Sequence, residues 1–227
     1  MKKILTTIAA SLMAVSAYAN DIYVTQSGDS LDLDITQDGQ NNTVGNSTTA
    51  SASTGATTIL DIDQVGSSNV LKYQINGATF TGTVNVTGDS NDIDLNCDST
   101  NGNSSCGTVT ASITMVGDSN DVDLDIGETS DASNSTATIT SAGSDDSNVI
   151  AATIDGTSAI LTITVDGSTN NWLVDIDGNG DINGHTLIHS HTGGIADVDI
   201  VQSGVYDNYI SLTTSGDNAD IDISQTD

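Results

Sequence analysis

The residues with the clearest capacity for chemistry form a short acidic loop late in the chain. Residues 175–183 read Asp-Ile-Asp-Gly-Asn-Gly-Asp-Ile-Asn, which matches the first half of a calcium loop, D-x-[DN]-x-[DN]-G. Calcium prefers such carboxylate and amide oxygens. Thr186 stands where a closing glutamate would complete the site, so a glycine-rich turn is the alternative interpretation. The candidate calcium ligands are Asp175, Asp177, Asn179 and Asp181.

Histidines and cysteines form two further candidate groups. His185, His189 and His191 follow the acidic loop, and the last two would share one face of a strand. That spacing suits zinc or copper, although histidines in a polar loop are more simply explained as solvated side chains. Cys97 and Cys106 flank a polar loop. If the chain is exported, the two cysteines predict one local disulfide.

Acidic residues are abundant, but they do not form a recognisable catalytic motif. The sequence contains no nucleophile–base pair, phosphate-binding loop or oxyanion motif. Its carboxylates recur regularly along exposed positions, rather than in a pocket that would tune their pKa values. We therefore expect a protein that is not an enzyme and needs no cofactor, with calcium as the one ion for which it offers ligands.

The start of the chain predicts export. Two lysines, an apolar stretch over residues 4–15 and the small-residue sequence Ala-Tyr-Ala at 17–19 have the anatomy of a secretory signal peptide. We therefore divide the chain into a signal peptide, 1–19, and a mature domain, 20–227. An exported protein is expected outside the cell or at its surface.

The charge of the mature domain excludes several classes of partner. It keeps one basic residue, Lys72, against 31 acidic residues, so its formal net charge is 1 − 31 = −30. Such a surface repels nucleic acid and anionic membranes, which bind basic patches. No later apolar run is long enough to span a bilayer. We expect neither nucleic-acid binding nor membrane insertion.

A glycine-centred motif recurs along the mature domain. Successive copies in the middle of the chain lie about 22 to 29 residues apart, which is typical of solenoid repeats. The spacing falls to 11 and 12 residues near the two ends, which we interpret as half-periods. The glycines of the clear copies are Gly28, Gly39, Gly66, Gly88, Gly117 and Gly167, and looser copies stand at Gly143, Gly204 and Gly216.

The segments around each glycine have the alternation of β-strands. Residues 60–64 and 91–95 alternate apolar with polar side chains, a period of two that buries one face. The chain has no proline, which suits a protein that is strand nearly throughout. We predict an all-β fold, a parallel in-register β-solenoid of about eight stacked strand–arc–strand windings.

The phase of the alternation turns side-chain amides inward. Gln64 is in phase with the apolar residues before it, and Asn91 with those after it. Stacked amides can hydrogen-bond to the equivalent group one layer away and form ladders, whereas ordinary turn-forming asparagine is the alternative. The candidate ladder residues are Gln26, Gln37, Asn42, Gln64, Asn69, Asn91, Asn120, Asn170 and Gln202.

The spacing Gln-x-Gly-x-x-Asn, complete at residues 37–42 and 64–69, resembles the curlin repeat of curli fibre subunits. The resemblance implies two-strand windings with inward amide ladders. It also implies secretion through the outer membrane of a Gram-negative-type bacterium, and amyloid polymerisation with itself or a related subunit. Later copies replace the first Gln by Val86, Met115 and Val165, which favours a degenerate relative or a minor subunit.

Aspartates dominate the predicted outward positions. Like charges stacked in register repel, so we expect protons or cations to bind among them, or a surface that only solubilises the protein. These residues are Asp32, Asp34, Asp92, Asp94, Asp121, Asp123, Asp125, Asp197, Asp199, Asp220 and Asp222.

Two functions follow from the sequence. The first is an extracellular structural subunit of a fibre or biofilm matrix that stacks end to end. The second is a monomeric secreted binding module, either a calcium-dependent adhesin or an ice-binding solenoid, which the Thr-x-Thr runs at 136–140 and 162–164 suggest. An ice-binding array needs Thr-x-Thr on each winding, whereas we expect aspartate to take those positions in most copies.

Overall fold

The structure is a computed structural model. It describes residues 20–39, 41–45, 51–66, 68–88, 90–97, 106–117, 119–127, 134–143, 147–156, 158–178, 184–204 and 208–226. The predicted signal peptide, 1–19, lies outside the described residues. Within the described ranges, no helix is long and apolar enough to cross a membrane.

Fifteen strands are formed within those ranges. They are β1 Asn20–Ile22, β2 Thr25–Ser27, β3 Ser30–Asp38, β4 Asn42–Val44, β5 Ser51–Val65, β6 Asn69–Thr87, β7 Asn91–Cys97, β8 Thr108–Val116, β9 Asn120–Ile126, β10 Ser135–Ala142, β11 Ser147–Asp155, β12 Ala159–Gly178, β13 Thr186–Gly204, β14 Tyr209–Ser215 and β15 Asn218–Thr226.

The strands stack in parallel and in register on two faces of a coil. Longer strands such as β12 contribute their two halves to different faces. The first face stacks β1 with β2, β4 with the start of β5, the first half of β6, β7, β9, β11, the second halves of β12 and β13, and β15. The second face stacks β3, the rest of β5, the second half of β6, β8, β10, the first halves of β12 and β13, and β14.

These pairings confirm the predicted all-β, parallel, in-register solenoid. In the described part of the chain they stack nine strand levels on the first face and eight on the second. We number the levels from the N-terminal end. Every level contributes inward side chains to one shared aliphatic core.

Alternation builds that core. In β9 the inward positions are fully buried, and they include Val122, Leu124 and Ile126. Each such side chain contributes about 1.5–3 kcal/mol when buried. One winding holds only a few of them and cannot cover its own inner surface. The stack is therefore stable only through its neighbours.

A column of glycines forms the corner where the chain passes from the second face to the first. A Cβ added at Gly66 would lie 1.5 Å from the carbonyl oxygen of Gly39, and one at Gly117 would lie 1.6 Å from that of Gly88. The close approach of one layer's backbone to the next requires glycine here. The column comprises Gly39, Gly66, Gly88, Gly117, Gly143, Gly167, Gly193 and Gly216.

Two glycines predicted in this column are elsewhere. Gly28 lies between β2 and β3, where the flanking pairs place it beside Gly55, and Gly204 pairs with Gly178. Both therefore belong to the opposite corner, where the chain passes from the first face to the second. The spacings of 11 and 12 residues are half-periods as predicted, because each spans one face. Alignment on glycine alone could not distinguish the two corners.

The opposite corner carries the disulfide. Cys97 ends β7 on the first face, Cys106 precedes β8 on the second face, and the two are bonded with a Cα–Cα distance of 5.8 Å. Both cysteines are buried. The predicted local disulfide is confirmed, and it closes the loop of one winding.

Candidate functional site

A ladder of asparagine amides follows the glycine column. Strands β4, β6, β7 and β9 of the first face each begin with asparagine, and these residues stack on one another. Asn69 Nδ2 donates to Asn91 Oδ1 at 3.0 Å, and Asn91 Nδ2 donates to Asn120 Oδ1. The series continues from Asn120 to Asn148 and from Asn148 to Asn170, both at 2.7 Å. The predicted asparagine ladder is confirmed.

One rung was missed by the sequence analysis. Asn148 stands five residues after Gly143, whereas the other rungs follow their glycine by three. Asn148 is buried and also accepts from the hydroxyl of Ser141 at 2.9 Å. The signal that could have identified it is the alternating segment that it begins, rather than its distance from glycine.

The glutamines form no comparable ladder. Gln64 Nε2 donates to Gln37 Oε1 at 2.7 Å, but the next positions in that column are Val86 and Met115. Gln26 and Gln202 lie instead at the opposite corner, and Gln202 accepts from Gln225 at 3.1 Å. Asn42 is buried and donates to backbone carbonyl oxygens, including that of Val65 at 2.8 Å.

The asparagine ladder ends at a histidine. The next residue in the column after Asn170 is Ala196, which has no amide. Asn170 Nδ2 lies 3.1 Å from Nδ1 of His191, a residue of the neighbouring column. Because the amide nitrogen is a donor, Nδ1 must accept, which requires a neutral imidazole. The final rung therefore depends on the protonation state of His191.

The three histidines are core residues, so their interpretation as solvated loop side chains is wrong. His185, His189 and His191 have exposed fractions of 0%, 2% and 1%. The Trp172 ring packs edge-on against His189 and His191, with centroids 4.5 and 5.0 Å apart. His185 Nδ1 accepts from the backbone nitrogen of Ala159 at 3.0 Å.

Burial makes these imidazoles weak bases. Desolvation, with a smaller contribution from His191, lowers the pKa of His189 to about 4. Desolvation also lowers the pKa of His191 and that of His185, against the opposing effects of Asp166 and Asp177 respectively. All three are neutral at pH 7. The hydrogen bonds to Nδ1 of His185 and of His191 require the same neutral form.

The metal hypotheses gain no support from the described residues. No group of three or more histidine, cysteine or acidic side chains there is placed to hold an ion. Asp175 and Asp177 point outward at the end of β12, whereas Asn179 and Asp181 lie outside the described residues. Desolvation, and then the charge of Asp177, raises the pKa of Asp175.

The outward side chains of the first face include stacked aspartates at levels four and five and at levels eight and nine, and we call this side the aspartate face. Its levels stack like charges directly: Asp92 pairs with Asp121, and Asp94 with Asp123. Desolvation, and then repulsion from the aspartate one level below, raises the pKa of Asp121 and that of Asp123. Lys72 Nζ lies 3.4 Å from the Asp94 carboxylate and offsets part of this charge.

The other predicted outward aspartates also lie on the first face, with one exception. Asp197 pairs with Asp220 and Asp199 with Asp222 on the first face. Asp125 is also on that face, in register with Thr153. The exception is the pair Asp32 and Asp34, which belong to β3 on the second face.

The outward side chains of the second face form a threonine face. We define it as the alternate residues, first, third and fifth, of segments 81–85, 110–114, 136–140, 160–164 and 186–190, which stack in register at levels three to seven. These fifteen positions hold ten threonines, two serines, two isoleucines and one asparagine. The expectation that aspartate interrupts most windings of a threonine array is therefore wrong. Most aspartate-rich segments lie on the first face, and those of β3 and β5 on the second face stop below level three.

Comparisons of the chain with protein-family models, with curated proteins and with solved structures gave no match.

Proposed function

We propose that the mature chain is an extracellular structural subunit that assembles end to end into a fibre. The observation that carries the proposal is the in-register parallel stack with its buried asparagine ladder. Every inner strand of this stack pairs with a strand above and a strand below. A second copy added at one end would form the same strand pairing between two molecules.

Apolar side chains remain exposed at the last described levels. Ile210 in β14 is only partly buried against the core, and Ile223 in β15 is 48% exposed. At the other end, Leu31 and Leu33 in β3 are only partly buried against the core. Covering both ends would complete the burial of the aliphatic columns and supply a driving force for stacking.

The columns continue in phase from one end to the other. Leu33 and Ile210 occupy the same column, as do Ile35 and Leu212. A second copy that places its β3 next to β14 therefore sets apolar residues on apolar residues. No shift of register is needed, and a shift of one residue would turn the apolar set outward.

On the second-face half of such a junction the outward charges are also compatible. In β14 the outward positions are Tyr209, Ser211 and Thr213, which are uncharged. They would face Asp32, Asp34 and Thr36 of the next copy. No two carboxylates oppose each other between these two strands. On the first-face half of the junction, Asp21 of the next copy would stack on Asp220, as aspartates already stack inside one molecule.

The aspartate face supports growth along the axis rather than sideways. Two such faces repel each other at moderate ionic strength, because their charges have one sign. We further propose export by an outer-membrane secretion system, and self-assembly or co-assembly with a related subunit. The signal-peptide anatomy and the resemblance to curlin repeats support this part of the proposal.

The test uses purified residues 20–227, thioflavin binding and negative-stain electron microscopy. We expect unbranched fibres that seed further growth. Leu212→Lys places a charge in the junction and should block elongation, because a buried unpaired charge is costly. Thr213→Lys, its outward neighbour, should still elongate.

Circular dichroism checks that both variants keep the fold, which is expected because β14 is the last described strand of its face. Monomers only, at high concentration and over long incubation, would overturn the proposal. Equal elongation by the two variants would overturn the junction.

A further inference from the structure

The threonine face is a regular lattice of small neutral groups. Levels of the stack are about 4.8 Å apart, and alternate residues of a strand are about 6.6 Å apart. Thr110, Thr136 and Thr138 illustrate the two directions: the first two are in register on adjacent levels, and the last two share a strand. Each threonine presents one methyl and one hydroxyl group. Its β-branch restricts χ1, which orders these groups in advance.

The lattice carries no charge. None of its fifteen positions holds an acidic or basic residue, although the domain has a net charge of 1 − 31 = −30. On the second face, aspartate takes the equivalent positions only at the first two levels, as at Asp34 and Asp61. A charged ligand would find no ionic partner on the threonine face, and nearby aspartates would repel an anion.

The chemistry of the face also argues against a flat sugar polymer as its ligand. Sugar rings bind well where exposed aromatic rings stack on them, and the fifteen positions contain no aromatic residue. The two isoleucines, Ile160 and Ile188, are 43% and 42% exposed and keep the lattice neutral and methyl-rich. A regular layer of water is the ligand that matches hydroxyl and methyl groups repeated over five levels.

We propose that the threonine face binds the surface of crystalline ice. Hydroxyl groups at fixed spacings hydrogen-bond to ordered water. The methyl groups between them can be covered without removing water from any charged group. The stack supplies flatness and repetition, which a loop could not. The aspartate face, with its strongly hydrated carboxylates, keeps the opposite side of the molecule in liquid water.

This inference goes beyond the fibre proposal and does not depend on it. The measurement uses freshly prepared monomer of residues 20–227, so that fibre growth and ice binding are scored separately. The readouts are thermal hysteresis, the shape of single ice crystals and inhibition of ice recrystallisation. We expect faceted crystals and measurable hysteresis, compared with a globular control protein of equal concentration.

Two lysine variants separate the faces. Thr138→Lys places a compact, strongly hydrated charge at the centre of the lattice and should abolish the hysteresis. Ala151→Lys adds the same charge on the first face, one level further along the stack and in register with Asp123, and should leave the hysteresis unchanged. Melting curves establish that both variants are folded.

Absence of hysteresis in the unmodified protein would overturn the inference. So would equal activity of the two variants. Dimers that form through this face, seen by analytical ultracentrifugation and lost in Thr138→Lys, would show that the face binds a second copy instead of ice.

Discussion

The aspartate face and the threonine face are built from the same windings but differ in chemistry. Their inward residues are alike, because both faces bury aliphatic columns in one core. Their outward residues differ: the first face stacks carboxylates on carboxylates, whereas the second stacks hydroxyls on hydroxyls. The backbone geometry is shared, so any difference in behaviour must come from the exposed side chains.

This difference separates two kinds of information in the sequence. Inward positions and corner glycines specify the solenoid, and outward positions are free to carry other properties. The aspartate face is under electrostatic strain that the threonine face lacks, since desolvation and neighbouring charges raise the pKa of Asp123. Each face therefore serves as an internal control for the other.

The largest effect should come from a change that damages both faces together. Gly117→Val would place a Cβ 1.6 Å from the carbonyl oxygen of Gly88. The two layers must separate there, so we expect a loss of at least about 4 kcal/mol, or failure to fold. Chemical denaturation followed by circular dichroism measures it. A stability within 1 kcal/mol of the unmodified protein, as a rough limit, would contradict the close stacking.

The next effect tests the core between the faces through pH. His189 has an ordinary pKa of 6.5 when unfolded and about 4 when folded, so the neutral form stabilises the fold. That stability is present above pH 6.5 and is lost as the pH falls through 4, by roughly 3 kcal/mol. His185 and His191 act in the same direction, because burial also lowers the pKa of each.

The raised aspartate pKa values have the opposite sign. Asp121, Asp123 and Asp175 bind protons more tightly when folded, so their contribution improves as the pH falls. His189→Leu should therefore flatten or reverse the loss of stability between pH 6.5 and 4. Unfolding free energies measured at several pH values test this. An unchanged pH dependence in the variant would exclude His189 as the main cause.

A smaller effect tests the amide ladder. Asn120 receives a hydrogen bond from Asn91 and donates to Asn148, and it is buried. Asn120→Ala leaves the buried Asn91 Nδ2 without its acceptor and removes one of the two donors to Asn148 Oδ1, so it should cost about 2 kcal/mol. Asn171→Ala, at an exposed position of the first face, should change stability by less than about 0.5 kcal/mol. Similar losses for the two variants would mean that the ladder adds nothing specific.

The smallest effect compares the faces directly. Asp123→Asn removes one of two stacked charges and should raise stability by about 0.5 kcal/mol at pH 7 and low salt. The gain should shrink in high salt and at pH 4, where screening or protonation already relieves the repulsion. Thr138→Asp places a charge between Ser112 and Thr162, which are uncharged, and should be nearly neutral. If the two variants changed stability by equal and opposite amounts at both low and high salt concentration, the stacking of charges would not be the cause.

Much of the architecture could be predicted from the sequence, because an in-register solenoid repeats its local rules. Strand alternation, the inward asparagines and the local disulfide all depend on residues close together in sequence, as for Asn91 and for Cys97 with Cys106. The structure bears out each of these. Because side chains alternate with a period of two residues, the local sequence is enough to tell whether a side chain points into the core or outward.

The features that could not be predicted depend on how successive windings are aligned with one another. Gly28 and Gly39 have the same local motif but occupy opposite corners, since only the pairing of β2 and β3 with β5 distinguishes them. The threonine face was missed for the same reason. A single run such as 136–140 gives no information about its neighbours until the levels are aligned. The buried histidines were missed because a polar local sequence suggests exposure, whereas Trp172 packs against them from the opposite face of the coil.

Disulfide trapping tests most directly whether equivalent residues of successive windings lie over one another. Thr110 and Thr136 are in register on adjacent levels, so their Cα atoms should be about 4.8 Å apart, within disulfide range. Thr110 and Thr138 are two residues out of register and should be about 8 Å apart. We expect the double variant Thr110→Cys with Thr136→Cys to form a crosslink under mild oxidation, as mapped by mass spectrometry. The double variant Thr110→Cys with Thr138→Cys should form none. Efficient crosslinking of the second pair would contradict the in-register stack, and so would the absence of a crosslink in both pairs.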